Sequence, residues 1–266
     1  MDWSKIKTIF IVTFLILDVY LLFQFLTIRD ANKYEIATEA PFEEKLKADG
    51  IKYVDLPKAQ IKAQYLSAKP KVFTKNDVAK LKGQVAAISG DSATTLQVSL
   101  EKPLQLSSKF DPVDLSGFLK DDVLYGDKYQ FWEKDDKART ITYFQQFEDS
   151  PLYQNINGMI TFYYNPRNQL VSYQQTYMEG FEKLTAKEEI LPPLKAIETL
   201  HQKGVLKPKS NITKIELGYS TLVQLAASQV LTPTWRFVIN DKESLFVNAF
   251  EGQIIQFNSD EKTSVE

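Results

Sequence analysis
The sequence predicts an α+β protein: an N-terminal transmembrane helix followed by two similar units, each an antiparallel sheet with one helix against it. Three observations carry that expectation. An apolar run, Thr8 to Ile28, stands near the start of the chain; runs with period-two alternation recur through the rest; and Thr74-Lys75-Asn76-Asp77 and Thr185-Ala186-Lys187-Glu188 each read as a capping box ahead of an apolar stripe.

The apolar run comes first. Its 21 residues would make a helix of roughly 31 Å, about the thickness of a bilayer hydrocarbon core. Fifteen of them are Leu, Ile, Phe or Val. At about −0.3 to −0.6 kcal/mol each they outweigh the roughly +3 kcal/mol of the one central acid, Asp18. An anchor alone has no use for that acid, and ionisable groups within a span ordinarily face a partner or a wet cavity. The plainer alternative is a protonated Asp18 bonded to its own preceding turn. On helical spacing Phe14, Leu15, Leu21, Leu22 and Phe25 share the face of Asp18, and these six residues form the expected transmembrane interaction face. No small-xxx-small pattern is present to favour a close-packed homodimer of spans. The apolar stretch is longer than the core of a secretion signal, and Arg29-Asp30-Ala31-Asn32-Lys33 provides no small-residue cleavage site, so an uncleaved anchor is expected. Lys5, Lys7 and the terminal amine slightly outnumber Arg29 and Lys33, which favours a cytoplasmic N-terminus and an extracytoplasmic remainder.

Beyond the span, Thr38 to Asp49 reads as a short helix with early acids and Gly50 at its end. Strands are expected at Ile51 to Val54 and Gln60 to Ser67. The first capping box should start an amphipathic helix carrying Val78, Leu81, Val85 and Ile88, and after a Gly90-Asp91-Ser92 turn Leu96, Val98 and Leu100 alternate as a half-buried strand does. Residues 101–128 read as an irregular connection. Strands follow at Tyr129 to Trp132, Thr140 to Phe147, Met159 to Tyr164 and Leu170 to Tyr177, the last two joined by Asn165-Pro166-Arg167-Asn168. The second capping box opens a helix that Pro192-Pro193 starts afresh, with Leu194, Ile197 and Leu200 as its stripe and Gly204 as its stop. Strands at Thr213 to Val223, Thr234 to Ile239, Ser244 to Phe250 and Gln253 to Phe257 complete the repeat of element order. The expected organisation is a stub (1–7), the span (8–28), a juxtamembrane connection (29–50), two α+β units (51–180 and 181–260) and a tail (261–266).

Composition narrows the chemistry. A net charge of −2 from 32 basic and 34 acidic residues marks no nucleic-acid surface. With no cysteine, thiol catalysis, cysteine-ligated metals and lipoprotein acylation are excluded. The one histidine, His201, falls late in the second helix and reads as structural. Nothing matches a Walker loop, a dinucleotide fingerprint or a nucleophile elbow. Asp121-Asp122 and Asp135-Asp136 lack the spaced ligands of a calcium loop and read as solvated turns. Aromatic residues alternating in strands, among them Trp132, Tyr143, Phe144, Tyr163, Tyr164, Trp235 and Phe237, read as core, with a sugar- or peptide-stacking surface as the alternative. No cofactor and no catalytic residue is expected.

The opening Met1-Asp2-Trp3-Ser4-Lys5-Ile6-Lys7-Thr8-Ile9-Phe10, followed by Phe14-Leu15-Ile16-Leu17-Asp18, resembles the start of the YycI (WalI) family of low-GC Gram-positive bacteria. Pro233-Thr234-Trp235-Arg236-Phe237 and Val247-Asn248-Ala249-Phe250-Glu251-Gly252-Gln253-Ile254 resemble its closing strands and those of PepSY-like domains. Between about residues 50 and 180 only the order of elements matches. The resemblance implies a YycH/PepSY-like fold and a non-catalytic membrane regulator of the essential sensor histidine kinase YycG (WalK), which governs cell-wall metabolism through the response regulator YycF (WalR). It also implies an exterior partner, YycH, contacts between single spans and the kinase's transmembrane helices, and an inside N-terminus. Two other classes stay open: a membrane-anchored enzyme or binder acting on wall polymers, and a PepSY-like protease inhibitor.

Overall fold
The computed structural model describes residues 3–31, 39–57, 59–90, 92–225 and 227–257. Met1, Asp2, Asp91 of the expected turn and the tail at 261–266 lie outside the described residues. The chain divides into two compact bodies, residues 1–51 and 52–266.

The first body holds two helices. α1 (Trp3–Ala31) extends past both ends of the expected span. α2 (Glu39–Ala48) closes with Gly50 at φ +69°, its N–H donating to the Lys47 carbonyl at 3.0 Å while the Ile51 N–H reaches the Leu46 carbonyl at 2.8 Å. That pair of bonds satisfies carbonyls the helix end would otherwise leave open.

In the second body β1 (Lys52–Tyr53), β2 (Lys62–Ala63) and β3 (Leu66–Pro70) precede one helical turn, α3 (Lys75–Val78). The Thr74 capping box forms as the sequence predicts, with the Thr74 N–H donating to Asp77 Oδ2 at 2.9 Å and the Asp77 N–H to Thr74 Oγ1 at 3.4 Å. The helix expected to continue to Ile88 does not. Gly83 adopts φ +68° and the chain becomes β4 (Gln84–Ser89), paired antiparallel with β5 (Thr95–Gln105). Val78, Leu81 and Ile88 all pack on the core, so the apolar spacing is met by a turn and a strand, while Val85 points out, 64% exposed.

The stretch expected to be irregular also carries structure. β5 runs on to Gln105, and Asp111 caps a 3-10 turn, Pro112–Leu115, that leads into α4 (Ser116–Asp122). β6 (Tyr129–Asp135), β7 (Thr140–Phe147), β8 (Ser150–Pro151), β9 (Met159–Tyr164) and β10 (Gln169–Gln175) follow, then β11 (Met178–Lys183) and β12 (Glu188–Glu189). The second capping box does not cap a helix. Its Glu188 lies in β12 and Thr185 Oγ1 accepts the Tyr65 N–H, while α5 (Pro193–Gln202) starts at the prolines and stops at Gly204. Last come β13 (Asn211–Gln224), β14 (Gln229–Ile239), β15 (Glu243–Asn248) and β16 (Ile254–Ile255).

These strands make two seven-stranded sheets and one two-stranded sheet, β2 with β12. One large sheet has the order β4-β5-β10-β9-β7-β6, with β8 on β7, and is contiguous in sequence. A row of paired residues, Ala86, Val98, Tyr173, Phe162 and Ile141, crosses its inner face. α4 covers that face, setting the Phe118 ring 6.2 Å from Phe162 and 6.3 Å from Tyr173. The outer face carries Gln97, Ser99, Ser172, Gln174 and Thr161, as a one-sided antiparallel sheet requires. The other sheet has the order β1-β13-β14-β15-β16, with β3 bridging β14 and β11. Every pair in it is antiparallel except β1 with β13. α5 turns Leu194, Ala196, Ile197 and Leu200 into its core, and the Trp235 indole N–H donates to the Leu191 carbonyl at 2.8 Å. β1 and β3 share this sheet with β11 and β13 to β16, and β11 crosses residue 180.

Candidate functional site
The α1 helix presents apolar side chains to its surroundings along its whole central length. Residues 7–26 are long and apolar enough to cross a bilayer, with a mean hydropathy of 2.4, and none of that window is buried. An α-helix satisfies its own backbone, so this exposed surface suits lipid and is unfavourable in water. Phe14, Leu15, Asp18, Leu21, Leu22 and Phe25 are all exposed. At 100° per residue they occupy an arc of about 120°. Within the helix, Phe10 stacks on Phe14 with ring centroids 6.3 Å apart, and Thr13 Oγ1 donates to the Ile9 carbonyl at 2.9 Å. Asp18 has no hydrogen-bond or ion-pair partner among the described residues. Its carboxyl is the one acidic group within residues 7–26.

The second body offers chemistry of another kind: a polar and aromatic joint between its two sheets. The strand segment that follows β7 leaves one sheet and docks on the other, because the Leu152 N–H donates to the Gln145 carbonyl at 2.8 Å and the Tyr153 N–H to the Tyr219 carbonyl at 2.7 Å. Gln145, fully buried, clamps β11 through both backbone groups of one residue, accepting the Met178 N–H at 2.7 Å and donating to the Met178 carbonyl at 2.8 Å. Asn155 donates to Thr221 Oγ1 at 3.1 Å and to Gln229 Oε1 at 2.8 Å, which ties the same segment to the β13–β14 hairpin. Gly218 permits this close approach, since a Cβ there would stand 2.5 Å from the Pro151 carbonyl oxygen and 2.7 Å from the Tyr153 ring.

Across the joint, the Arg236 guanidinium lies 4.1 Å over the Trp132 ring, while Nη1 donates to Glu216 at 2.9 Å and Nε to Ser244 at 3.0 Å. Trp132 meets Phe144, Tyr153 and Phe246 at 5.4, 6.2 and 6.3 Å. Burial, reinforced by the Glu216 charge, pushes the Tyr153 phenol far above its ordinary range, so it stays protonated. A planar cation between an aromatic face and a carboxylate is a stable structural contact, and no bond to a reacting atom is implied.

The other residues marked in the sequence have structural surroundings. Asp135 Oδ1 accepts the N–H groups of Lys137 and Ala138 and closes the β6–β7 turn; Asp136 pairs with Lys134 and with the Tyr164 hydroxyl. His201 sits in the last turn of α5, and its carbonyl accepts the Gly204 N–H. No group of three metal-ligating side chains occurs among the described residues. Tyr143, Phe144, Tyr164, Trp235 and Phe237 are buried, Trp132 lies under Arg236, and Tyr163 alone of the marked aromatics is exposed, so they do not make a stacking platform. The joint itself had no advance signal apart from the alternation of Trp132, Trp235 and their neighbours.

Three solved structures share partial similarity with the chain. An uncharacterized protein from Eubacterium rectale aligns with a TM-score of 0.45 and 9% identity over 78% of this chain and 89% of its own. YycH from Bacillus subtilis aligns at 0.42 and 14%, over 77% and 54%. The YpeB C-terminal domain of Bacillus megaterium aligns at 0.40 and 13%, over 70% and 100%. No curated protein matches in sequence. The family signature of the YycI protein matches residues 31–250, most of the chain and the whole of the two-sheet body through β15. The chain belongs to the YycI protein family.

Proposed function
We propose that this protein is a non-catalytic, single-pass membrane regulator of the sensor histidine kinase YycG (WalK), acting through contacts between α1 and the kinase's transmembrane helices. Family membership supports the pathway. The observation that carries the mechanism is the arrangement on α1: an exposed acid, Asp18, in the middle of an exposed apolar arc of Phe14, Leu15, Leu21, Leu22 and Phe25. Lipid gives no hydrophobic reason for spans to associate, so packing and polar contacts decide which ones do. Contacts on this arc favour one arrangement of the kinase's helices. The exterior body, held together by its joint, changes that bias when its own partner, a YycH-like protein, engages it. A coupling of about 1–3 kcal/mol is enough to alter kinase output severalfold. The N-terminus lies in the cytoplasm and residues from 29 onward outside it. The output belongs to cell-wall control.

The test replaces Asp18 with Leu in the full chain and measures crosslinking to the kinase together with a reporter of its regulon. Both should change. Unchanged crosslinking and unchanged output would remove Asp18 from the mechanism. Peptidoglycan digestion or pull-down by the full-length protein would instead favour direct action on wall polymers.

A further inference from the structure
Covalent order and strand pairing fix where the chain enters the second body. Only residues 32–51 connect α1 to β1, and β1 lies parallel on the start of β13 with Lys52 opposite Asn211. Hydrogen bonds gather two further segments at that end. The Lys52 N–H donates to the Ser210 carbonyl at 3.0 Å, the Asn240 N–H to the Asn211 carbonyl at 2.8 Å, and the Asn211 N–H to Asn240 Oδ1 at 3.0 Å. The start of β1, the loop from α5 to β13 and the β14–β15 turn thus meet at one end of the sheet.

That end is basic. From Thr199 to Ile215 the chain has four lysines and no acid, in a sequence whose charges are otherwise closely balanced. Lys203, Lys207 and Lys209 of this run, with Lys52 and Lys242, are exposed and hold no ion-pair partner among the described residues. Lys214, further along β13, pairs with Glu216 at 2.7 Å. Asp241 and Glu243 are the acids of the same loops, and the five lysines outnumber them. Lys207 and Lys209 border a cavity of about 210 Å³ together with Ser210, Asn240 and Glu243. The opposite end contrasts. At roughly 3.3 Å per residue β13 carries the chain about 45 Å away. There the β13–β14 hairpin exposes Leu222, Val223 and Leu225, and no charged residue occurs between Glu216 and Arg236.

We infer that the basic end of the second body binds anionic lipid headgroups at the bilayer surface through their phosphates. Like charges gathered without local partners favour an external anion, and lysine clusters close to a span are drawn to anionic lipid. The connection to α1 makes this encounter intramolecular, so a modest attraction is enough. The lysines come from three separate segments, a spread that suits a charged plane better than one small anion. Soluble phosphate offers the same chemistry without the tether's effective concentration. The inference rests on the anchoring of α1 and not on the kinase contact.

The test uses the full-length chain in nanodiscs, which present both leaflets and so make the result independent of membrane topology. With no native cysteine, Pro208→Cys beside the lysines and Gln224→Cys in the far hairpin each carry a fluorophore, and a small fraction of the lipid carries a headgroup nitroxide as a contact-range quencher. In nanodiscs containing phosphatidylglycerol, position 208 should be quenched at least threefold more than in phosphatidylcholine alone, and at least threefold more than position 224. Half-molar salt should abolish the difference, because the screening length falls to a few ångströms. Adding Lys203→Gln, Lys207→Gln and Lys209→Gln, all at exposed positions, should abolish it too while the circular dichroism stays native. Equal quenching in the two lipids, undiminished quenching in the triple variant, stronger quenching at position 224, or loss of quenching on adding inorganic phosphate at constant ionic strength would overturn the proposal. Each of those results leaves the anchor standing, since the chain remains in the nanodisc.

Discussion
Replacing Gly218 with Ala tests the joint between the two sheets at its tightest point. The added Cβ would stand 2.5 Å from the Pro151 carbonyl oxygen and 2.7 Å from two carbons of the Tyr153 ring, where ordinary contacts begin near 3.4 Å. Backbone must therefore shift by most of an ångström. The Tyr153 ring cannot swing away, because it is buried between Trp132 and Phe246. Overpacking of this kind costs about 1–3 kcal/mol, and the upper half applies where backbone and a fixed ring are the obstacles. For a body of this size each kcal/mol moves Tm by roughly 2–4 °C, so a fall of about 4–12 °C is expected. The comparison is Gly117→Ala in α4, where nothing lies within 4 Å of the new methyl and no positive φ is involved. Alanine in a helix gains about 0.5–1 kcal/mol over glycine, so that variant should melt slightly higher. Thermal unfolding of the detergent-solubilised full chain, followed by circular dichroism, reads both. If Gly218→Ala melts within about 1 °C of the parent, well inside the shift expected for overpacking, the two sheets are not packed as described.

Other expectations concern charge and hydrogen bonding. Arg236→Lys keeps the cation but loses the planar stack on Trp132 and one of two directed bonds, and should cost about 1–2 kcal/mol in urea denaturation. Gln145→Ala leaves the buried Met178 N–H and carbonyl without their side-chain partner, and should cost about 2–4 kcal/mol by the same assay. For Asp77, burial favours the neutral acid, but bonds from the Thr74 hydroxyl and N–H together with Lys71 and Lys80 outweigh it and hold the carboxyl below its ordinary value. A depressed folded-state value means that its contribution is present above the unfolded carboxylate range, near pH 4, and disappears as pH falls through the lower folded value. Asp77→Asn should thus lower Tm at pH 7, and the gap from the parent should close on acidification below about pH 4. A gap independent of pH would contradict the assignment.

Much of the architecture was legible in local signals. Alternation placed β7 and β9 at their observed limits, Asn165-Pro166-Arg167-Asn168 made the β9–β10 turn, and the proline pair with Gly204 delimited α5, because each rests on short-range sterics or burial. The misreadings came where pairing overrode local pattern. Val78, Leu81, Val85 and Ile88 fit a helical stripe, yet a six-residue partnership with β5 and Gly83 at positive φ made the second half a strand. Thr185 and Glu188 had the letters of a capping box but were drawn to Tyr65 and Ala63 by tertiary contacts. Asp111, with Pro112 and Asp114 behind it, carries a helix start inside a stretch whose prolines and glycines read as irregular. The inter-sheet joint depends on residues as distant as Gln145, Gly218 and Arg236, whose meeting no local period encodes. The α1 arc, by contrast, was readable because a helix fixes which residues share a face.

Crosslinking along α1 bears on the proposed kinase contact without intermediaries. With no native cysteine to remove, single cysteines at Phe14, Leu21, Leu22 and Phe25 can be compared with single cysteines on the opposite face, at Val12, Ile16, Val19 and Phe23, in membranes containing the kinase with cysteines in its own spans. Contact through the arc predicts adducts with the kinase from the first set and little from the second, a periodicity that Asp18→Leu weakens. Adducts without that periodicity, adducts from the opposite face, or none from either would contradict it.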